Sequence, residues 1–222
     1  MNELIEHTRD GLEVNSTTFI ETELDLARWY PKIQGFRFNH VISAVSSEQD
    51  SYLISNPIDR KVLKAIRSSA DLIVTTGKTA VAENLSASAF ASMLIITRKK
   101  DIHVPATEQG SKQRVFVTCG KSDYGNPAAE GVGEVEGNLL DWVKNFAKDY
   151  QCIVLETGLK TTLQLESLIK EICLTVVEAK DIQKAKGLAD EFLEKFASNY
   201  RLLQLLQIDT NWFFIFENES KS

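Results

Sequence analysis

The stretch Asp71-Leu-Ile-Val-Thr-Thr-Gly77-Lys-Thr79-Ala-Val-Ala-Glu83 constrains this chain more than any other. Its apolar run fits a buried strand, the Thr-Gly step a tight turn, and the residues after it the start of a helix. A turn of this kind aims backbone N–H groups and the positive end of a helix at one point, where a phosphate can sit. Cys152-Ile-Val-Leu-Glu156-Thr-Gly158-Leu-Lys-Thr-Thr has the same form. Two such corners in one small α/β fold predict a nucleotide or phosphorylated ligand held at the ends of adjacent strands.

The remaining pattern is that of strands alternating with helices. Strands are expected at 36–44, 71–76, 92–97, 114–119, 152–156 and 172–177. Helices are expected at 57–67, where Pro57 occupies an early helical position, and at 78–84, 139–148, 161–168 and 182–198. In the last of these, Leu188, Phe192 and Phe196 recur at helical spacing. A short helix over 21–30 is expected to stop at Pro31. The segments 46–52 and 120–137, the second rich in glycine and acids, read as loops. Residues 202–208 and 212–216 around Asp209-Thr-Asn read as a hairpin. The class is therefore α/β, with a mostly parallel central sheet covered on both faces and a C-terminal antiparallel hairpin. Residues 1–35 are set apart as an N-terminal extension, leaving 36–222 as the folded domain.

Several function classes fall away on composition. The 222 residues carry a net charge of −6, which argues against a nucleic-acid partner. The longest basic run, Arg98-Lys99-Lys100, reads as a solvated strand end. No apolar run approaches the roughly 20 residues that a bilayer requires, and the first residues lack the pattern of a signal peptide. A cytoplasmic location without membrane association is the expectation. Cys119, Cys152 and Cys173 lie in or beside strands with no C-x-x-C pair, and His7, His40 and His103 show no ligand spacing, so no metal site is expected. Gly77-Lys78-Thr79 resembles the end of a P-loop, but that motif needs a glycine where Leu72 stands.

The run Ser55-Asn-Pro-Ile-Asp59-Arg60 … Ile66-Arg67 … Ala70-Asp71 … Thr76-Gly77-Lys78-Thr79 … Ala82-Glu83 resembles the pyrimidine-reductase domain of riboflavin biosynthesis. This RibD C-terminal family has a dihydrofolate-reductase-like three-layer fold and carries Ser-x-Pro-x-Asp-Arg … Leu-Arg … Ala-Asp … Val-Gly-Ala-Gly-Thr … Ala-Glu. Val154-Leu-Glu156-Thr157-Gly158 is similar to the family's Glu-Gly-Gly-Pro turn, and Leu168 to Thr175 to the strand that follows it. Order and spacing agree across residues 36–180.

The resemblance implies an NADPH-dependent oxidoreductase, acting as 5-amino-6-(5-phosphoribosylamino)uracil reductase or on a similar small phosphorylated pyrimidine, and working as a homodimer. Hydride would pass to C1′ of a ribosylamino-pyrimidine, opening the sugar to a ribityl chain. Thr75, Thr76, Gly77 and Thr79 would approach the cofactor, with Thr157, Gly158 and Leu159 cradling its other side. Glu156 would be the acid near the ligands. Asn39, Ser55, Asp59 and Arg60 would face the substrate; Asp59 and Arg60 equally suit a solvated helix start. Arg67 and Asp71 are expected to pair with each other. The sequence departs from the family at two places. Thr157 replaces a glycine, which limits close backbone approach. The family's Ser-x-Asp-Gly motif falls on Ser43-Ala44-Val45-Ser46, with valine for the aspartate. A shifted register brings Ser47-Glu48-Gln49-Asp50 there instead, where Glu48 or Asp50 would substitute; Asp50 is the one set beside Glu156 as a catalytic residue. The departures also admit a non-catalytic protein of the same fold, one that keeps a nucleotide or binds no ligand at all.

Overall fold

The computed structural model describes residues 4–5, 29–46, 54–83, 88–99, 113–118 and 129–221. The expected helix over 21–30 lies outside these residues but for its last two. Cys119, His7, His103 and the greater part of the 46–52 segment lie outside them entirely.

The chain divides into two compact units. One comprises Met1–Pro31, Arg37–Ala65 and Ile169–Ser222; the other comprises Lys32–Phe36 and Ile66–Leu168.

In the first unit the strands are β1 (Leu4–Ile5), β2 (Gly35–Ser43, most of which belongs here), β8 (Ile169–Val177), β9 (Tyr200–Ile208) and β10 (Asn211–Asn218). Their order is β1-β9-β10-β8-β2. The expected closing hairpin is β9–β10, and its antiparallel pairing extends to β8 on one side and to β1 on the other. Asp209 turns the hairpin at a φ of 54°, a left-handed conformation that aspartate tolerates better than most residues. Strand β8 starts three residues earlier than its apolar run suggested, because the Asn218 amide holds the Ile169 carbonyl at 3.2 Å. Two helices belong to this part of the chain, α1 (Pro57–Ser68, beginning here) and α5 (Ile182–Leu193). Asn56 caps α1, its Oδ1 accepting from the N–H groups of Ile58 and Asp59, each at 3.0 Å. Asp181 caps α5.

The core face of α5 runs through Ala185, Ala189 and Phe192, with small residues where the helix packs closest. The expected helix to residue 198 ends five residues sooner. Phe196 leaves the helical path and tilts against Phe38, Phe192 and Tyr200. Burying that ring fixes where the chain turns toward β9.

In the second unit β3 (Leu72–Thr76), β4 (Ser92–Ile96), β5 (Val115–Val117), β6 (Ala129–Gly131) and β7 (Cys152–Glu156) lie in the order β7-β3-β4-β5-β6, every pairing parallel. The burial of β3, β4, β5 and β7 on both faces explains why they read as unbroken apolar runs. Helix α2 (Gly77–Ala82) links β3 to β4, α3 (Leu139–Phe146) links β6 to β7, and α4 (Leu159–Gln164) follows β7. Ala80 of α2 packs into a cluster with Met93, Ile95, Val115 and Val117. The segment 120–137 is not all loop: β6 runs beside β5 there. Three residues ending in a glycine carry no periodicity, and pairing with the edge of β5 selects them. Helix α4 gives way to a 3₁₀ turn at Glu166–Leu168. Among the described residues, no helix is long and apolar enough to cross a membrane. Cys152 and Cys173 are buried and not joined in a disulfide.

Candidate functional site

The two corners singled out in the sequence both belong to the second unit, at the ends of strands that are direct neighbours. Strands β3 and β7 run parallel with Leu72 opposite Ile153 and Thr75 opposite Glu156. The chain therefore leaves the sheet at the same level twice, at Thr76 and at Thr157. The strands are clamped at both ends. At the start, the Asp71 N–H donates to the Cys152 carbonyl at 2.7 Å, and the Asp71 carboxylate accepts the Cys152 N–H at 3.1 Å. At the finish, the Thr75 hydroxyl donates to the Glu156 carbonyl at 3.0 Å.

Each corner is built by threonine. Thr76, in extended conformation, caps α2; its Oγ1 accepts from the Thr79 N–H at 3.2 Å and shares a hydrogen bond with the Thr79 hydroxyl at 2.9 Å. Gly77 is buried at the first helical position. Thr157 is turned inward. Its hydroxyl meets that of Thr162 at 2.7 Å, and the Thr162 hydroxyl also reaches the Thr157 and Gly158 carbonyls. The β-branched side chain thus stays on the protein side of the corner and leaves the outer side to Gly158. Gly158 is exposed, a Cβ added to it would meet nothing within 4 Å, and no side chain caps the helix it starts. Leu159, half-buried, opens that helix. Lys78 and Lys160, the second residues of α2 and α4, are exposed. Uncapped amides, open space and nearby cations form a donor set suited to phosphate oxygens. Thr75, fully buried with its hydroxyl spent on the strand clamp, presents no side chain to a ligand.

Glu156 is the buried charge of this region. Its carboxylate receives a two-pronged contact from Arg67, Nε to Oε1 at 2.8 Å and Nη2 to Oε2 at 2.6 Å. Burial pulls the Arg67 guanidinium down, but Glu156, helped by Glu83, outweighs it and holds the pKa above its ordinary value. The expected Arg67–Asp71 pair does not form. Asp71 lies level with Cys152 and takes Lys32 as its partner at 3.3 Å; its partial burial is overcome by the Cys152 N–H and Lys32, which keep it below the usual carboxylate range. Arg67 instead extends to the far end of β7. Sequence spacing favoured a neighbour, and the fold supplied a partner from a distant strand.

Asn39, Ser55, Asp59 and Arg60 all belong to the first unit. Asn39 is half-buried on β2 and Arg60 is exposed on α1. Asp59 is buried, and the Ser55 hydroxyl donates to its Oδ2 at 2.5 Å. Burial raises its pKa against the opposing hydrogen bonds of Ser55 and Thr175 and the charge of Arg60. Asn56 ties this helix start to β10 through Asn211 Oδ1 at 2.7 Å. Asp50 and Glu48 lie outside the described residues.

The segment matching the family's Ser-x-Asp-Gly motif is a hydroxyl-centred turn. Ser43 Oγ accepts from the N–H groups of Val45 and Ser46 and donates to Glu178 Oε2 at 2.8 Å. The Val45 side chain is exposed. A carboxylate does stand beside this turn, but it comes from Glu178, at the end of β8 with a φ of 61°. The separation of 135 positions hid it from the sequence. Among the described residues, no three His, Cys, Asp or Glu side chains gather as a metal site.

No family model matches the chain, and no curated protein matches its sequence. Solved structures do match. A pyrimidine reductase-like protein from Corynebacterium diphtheriae aligns over 83% of this chain and 92% of its own, with a TM-score of 0.61 and 15% identity. The diaminohydroxyphosphoribosylaminopyrimidine deaminase/5-amino-6-(5-phosphoribosylamino)uracil reductase of Thermotoga maritima aligns over 86% of this chain but only 57% of its own, at a TM-score of 0.58 and 11% identity. Enterococcus faecalis dihydrofolate reductase, solved with NADP(H), aligns over 84% of this chain and 98% of its own, at 0.51 and 9%. The fold is the dihydrofolate-reductase-like α/β fold that these reductases share.

Proposed function

We propose that this chain is an NADPH-dependent reductase acting on a small phosphorylated substrate, in the manner of the riboflavin-pathway pyrimidine reductases. One observation carries the reading: Thr76-Gly77-Lys78-Thr79 and Glu156-Thr157-Gly158-Leu159 emerge side by side from neighbouring parallel strands, in register at Thr75 and Glu156. Ligands of open parallel sheets bind at such carboxyl ends. The shared fold of the reductases supports the reaction class.

In this assignment a bound nicotinamide dinucleotide supplies the hydride. The chain's own work is to bind and orient. The Leu159 and Lys160 amides donate to phosphate oxygens, the surface left open at Gly158 lets the backbone approach, and Lys78 and Lys160 add positive charge. Asn39, Ser55 and Arg60 are assigned to the substrate, a ribosylamino-pyrimidine phosphate reduced at C1′. The protein works as a homodimer of the 24.9 kDa chain; a particle of single-chain mass in light scattering contradicts that.

A second reading has its own support. Val45 offers no polar group, and the Glu156 carboxylate is occupied by Arg67, as suits a nucleotide-binding protein without turnover. Oxidation of NADPH with the ribosylamino-pyrimidine phosphate and with dihydrofolate, alongside thermal melting, separates the two. Ligand at 100 times its dissociation constant adds about 2.7 kcal/mol of stability. A melting shift with turnover supports the reductase. A shift without turnover supports the binding protein, and no shift with NADPH, NADH, FMN or a ribosyl phosphate removes the reductase and favours a non-catalytic protein of the same fold.

A further inference from the structure

Glu156 poses a problem for any anionic ligand at these corners. It is the last residue of β7, directly before the Thr157-Gly158 turn, and its side chain is 6% exposed. A bare carboxylate there would repel a phosphate through a poorly screened medium. The structure removes the problem with Arg67, whose two nitrogens match both carboxylate oxygens, the geometry in which arginine binds carboxylate best. Arg67 comes from the last turn of α1 and belongs to neither corner. Glu83, which ends α2, adds its attraction to the same guanidinium. One cation thus answers acidic groups at the end of the second strand and at the end of the first corner's helix.

We infer that Arg67 is a specificity-determining residue of this site: by cancelling the charge of Glu156 it allows the Thr157-Gly158 corner to accept a pyrophosphate-bearing ligand. The inference rests on the dinucleotide reading above but makes its own prediction, because the two partners act with opposite sign. Arg67→Gln exposes the ligand to the Glu156 charge. Glu156→Gln leaves a guanidinium with spare donors. The double variant restores a neutral pair of similar shape.

The test is titration calorimetry of NADPH and, separately, of inorganic pyrophosphate, on the full chain and these variants, with ionic strength varied and far-UV circular dichroism confirming the fold. R67Q is expected to weaken both ligands roughly tenfold or more. E156Q is expected to bind as tightly as the parent or tighter, with a steeper loss of affinity as salt is added. R67Q/E156Q is expected to return to within about threefold of the parent. A salt bridge that merely holds the fold predicts instead that both single variants weaken binding and that the double does not recover; that pattern, with the parent binding NADPH, overturns the inference and leaves the reductase reading standing. If the parent ignores NADPH but binds pyrophosphate with the expected pattern, the reductase reading falls and the inference stands. If the parent binds neither, both fall. Should R67Q not fold, E156Q and the double variant decide: weakened binding in either one overturns the inference.

Discussion

Arg37 and Glu171 form the most deeply buried ion pair among the described residues, with side chains 2% and 8% exposed and Nε to Oε1 at 2.5 Å. At an effective dielectric of about 20 the attraction over this distance is roughly 7 kcal/mol, while desolvating each ion takes several kcal/mol. The intact pair is therefore close to balance, and what matters is what remains when half of it goes. Glu171→Gln keeps the shape and one acceptor but takes the carboxylate charge away from the guanidinium, and removing one partner destabilises buried pairs by about 3–5 kcal/mol. The low end applies here. Arg37 also donates to the Pro31 carbonyl at 2.9 Å and lies 6.0 Å from the centre of the Tyr30 ring, so part of its charge stays solvated by the protein. Urea denaturation is expected to show E171Q less stable by about 3 kcal/mol, and melting to fall by roughly 6–12 °C for a chain of this size. Arg37→Met combined with Glu171→Leu removes both charges and is expected to lie within about 1 kcal/mol of the parent. A loss under about 1 kcal/mol in E171Q, or a double variant worse than the single, refutes the reasoning.

Three more predictions follow from the same physics. His40, packed against both Phe38 and Phe192, is held by burial and by Lys195 at a pKa of about 4 against an ordinary 6.5; its neutral form stabilises the fold fully above pH 6.5, and about 2–3 kcal/mol is lost as pH falls toward 4. In His40→Phe, chemical denaturation between pH 7 and 4 is expected to lose that slope, and an unchanged slope counts against the assignment. Asp59 has the opposite sign: a raised carboxyl contributes most when protonated, so Asp59→Asn is expected to match or exceed the parent's stability at pH 7, with the parent gaining on it as the solution is acidified; a variant clearly weaker at pH 7 contradicts this. Thr162→Val leaves the buried Thr157 hydroxyl without its partner at 2.7 Å and is expected to destabilise by about 1–3 kcal/mol in urea, whereas Thr161→Val, on a half-buried side chain of the same helix, serves as the near-neutral control.

The sequence by itself determined the elements whose signals are local. Strands buried on both faces read as unbroken apolar runs, so β3, β4 and β7 were found almost to the residue. Asn56-Pro57 marked a helix start because a cap and a fixed φ act on the very next turn. The two Thr-Gly corners were visible because a strand, a turn and a helix start lie within a dozen residues. Whatever depended on partners far along the chain was decided only by tertiary structure. Strand β6 exists because β5 has an edge to fill. Helix α5 stops where Phe196 finds an aromatic pocket. Arg67 turns from its neighbour Asp71 to Glu156, and Thr157 turns its hydroxyl inward to Thr162. Glu178 brings a carboxylate to Ser43 from the end of another strand. Side-chain charge and hydroxyl groups pair by proximity in space, and spacing along the chain predicts that proximity only within a turn or two of helix or a single strand step.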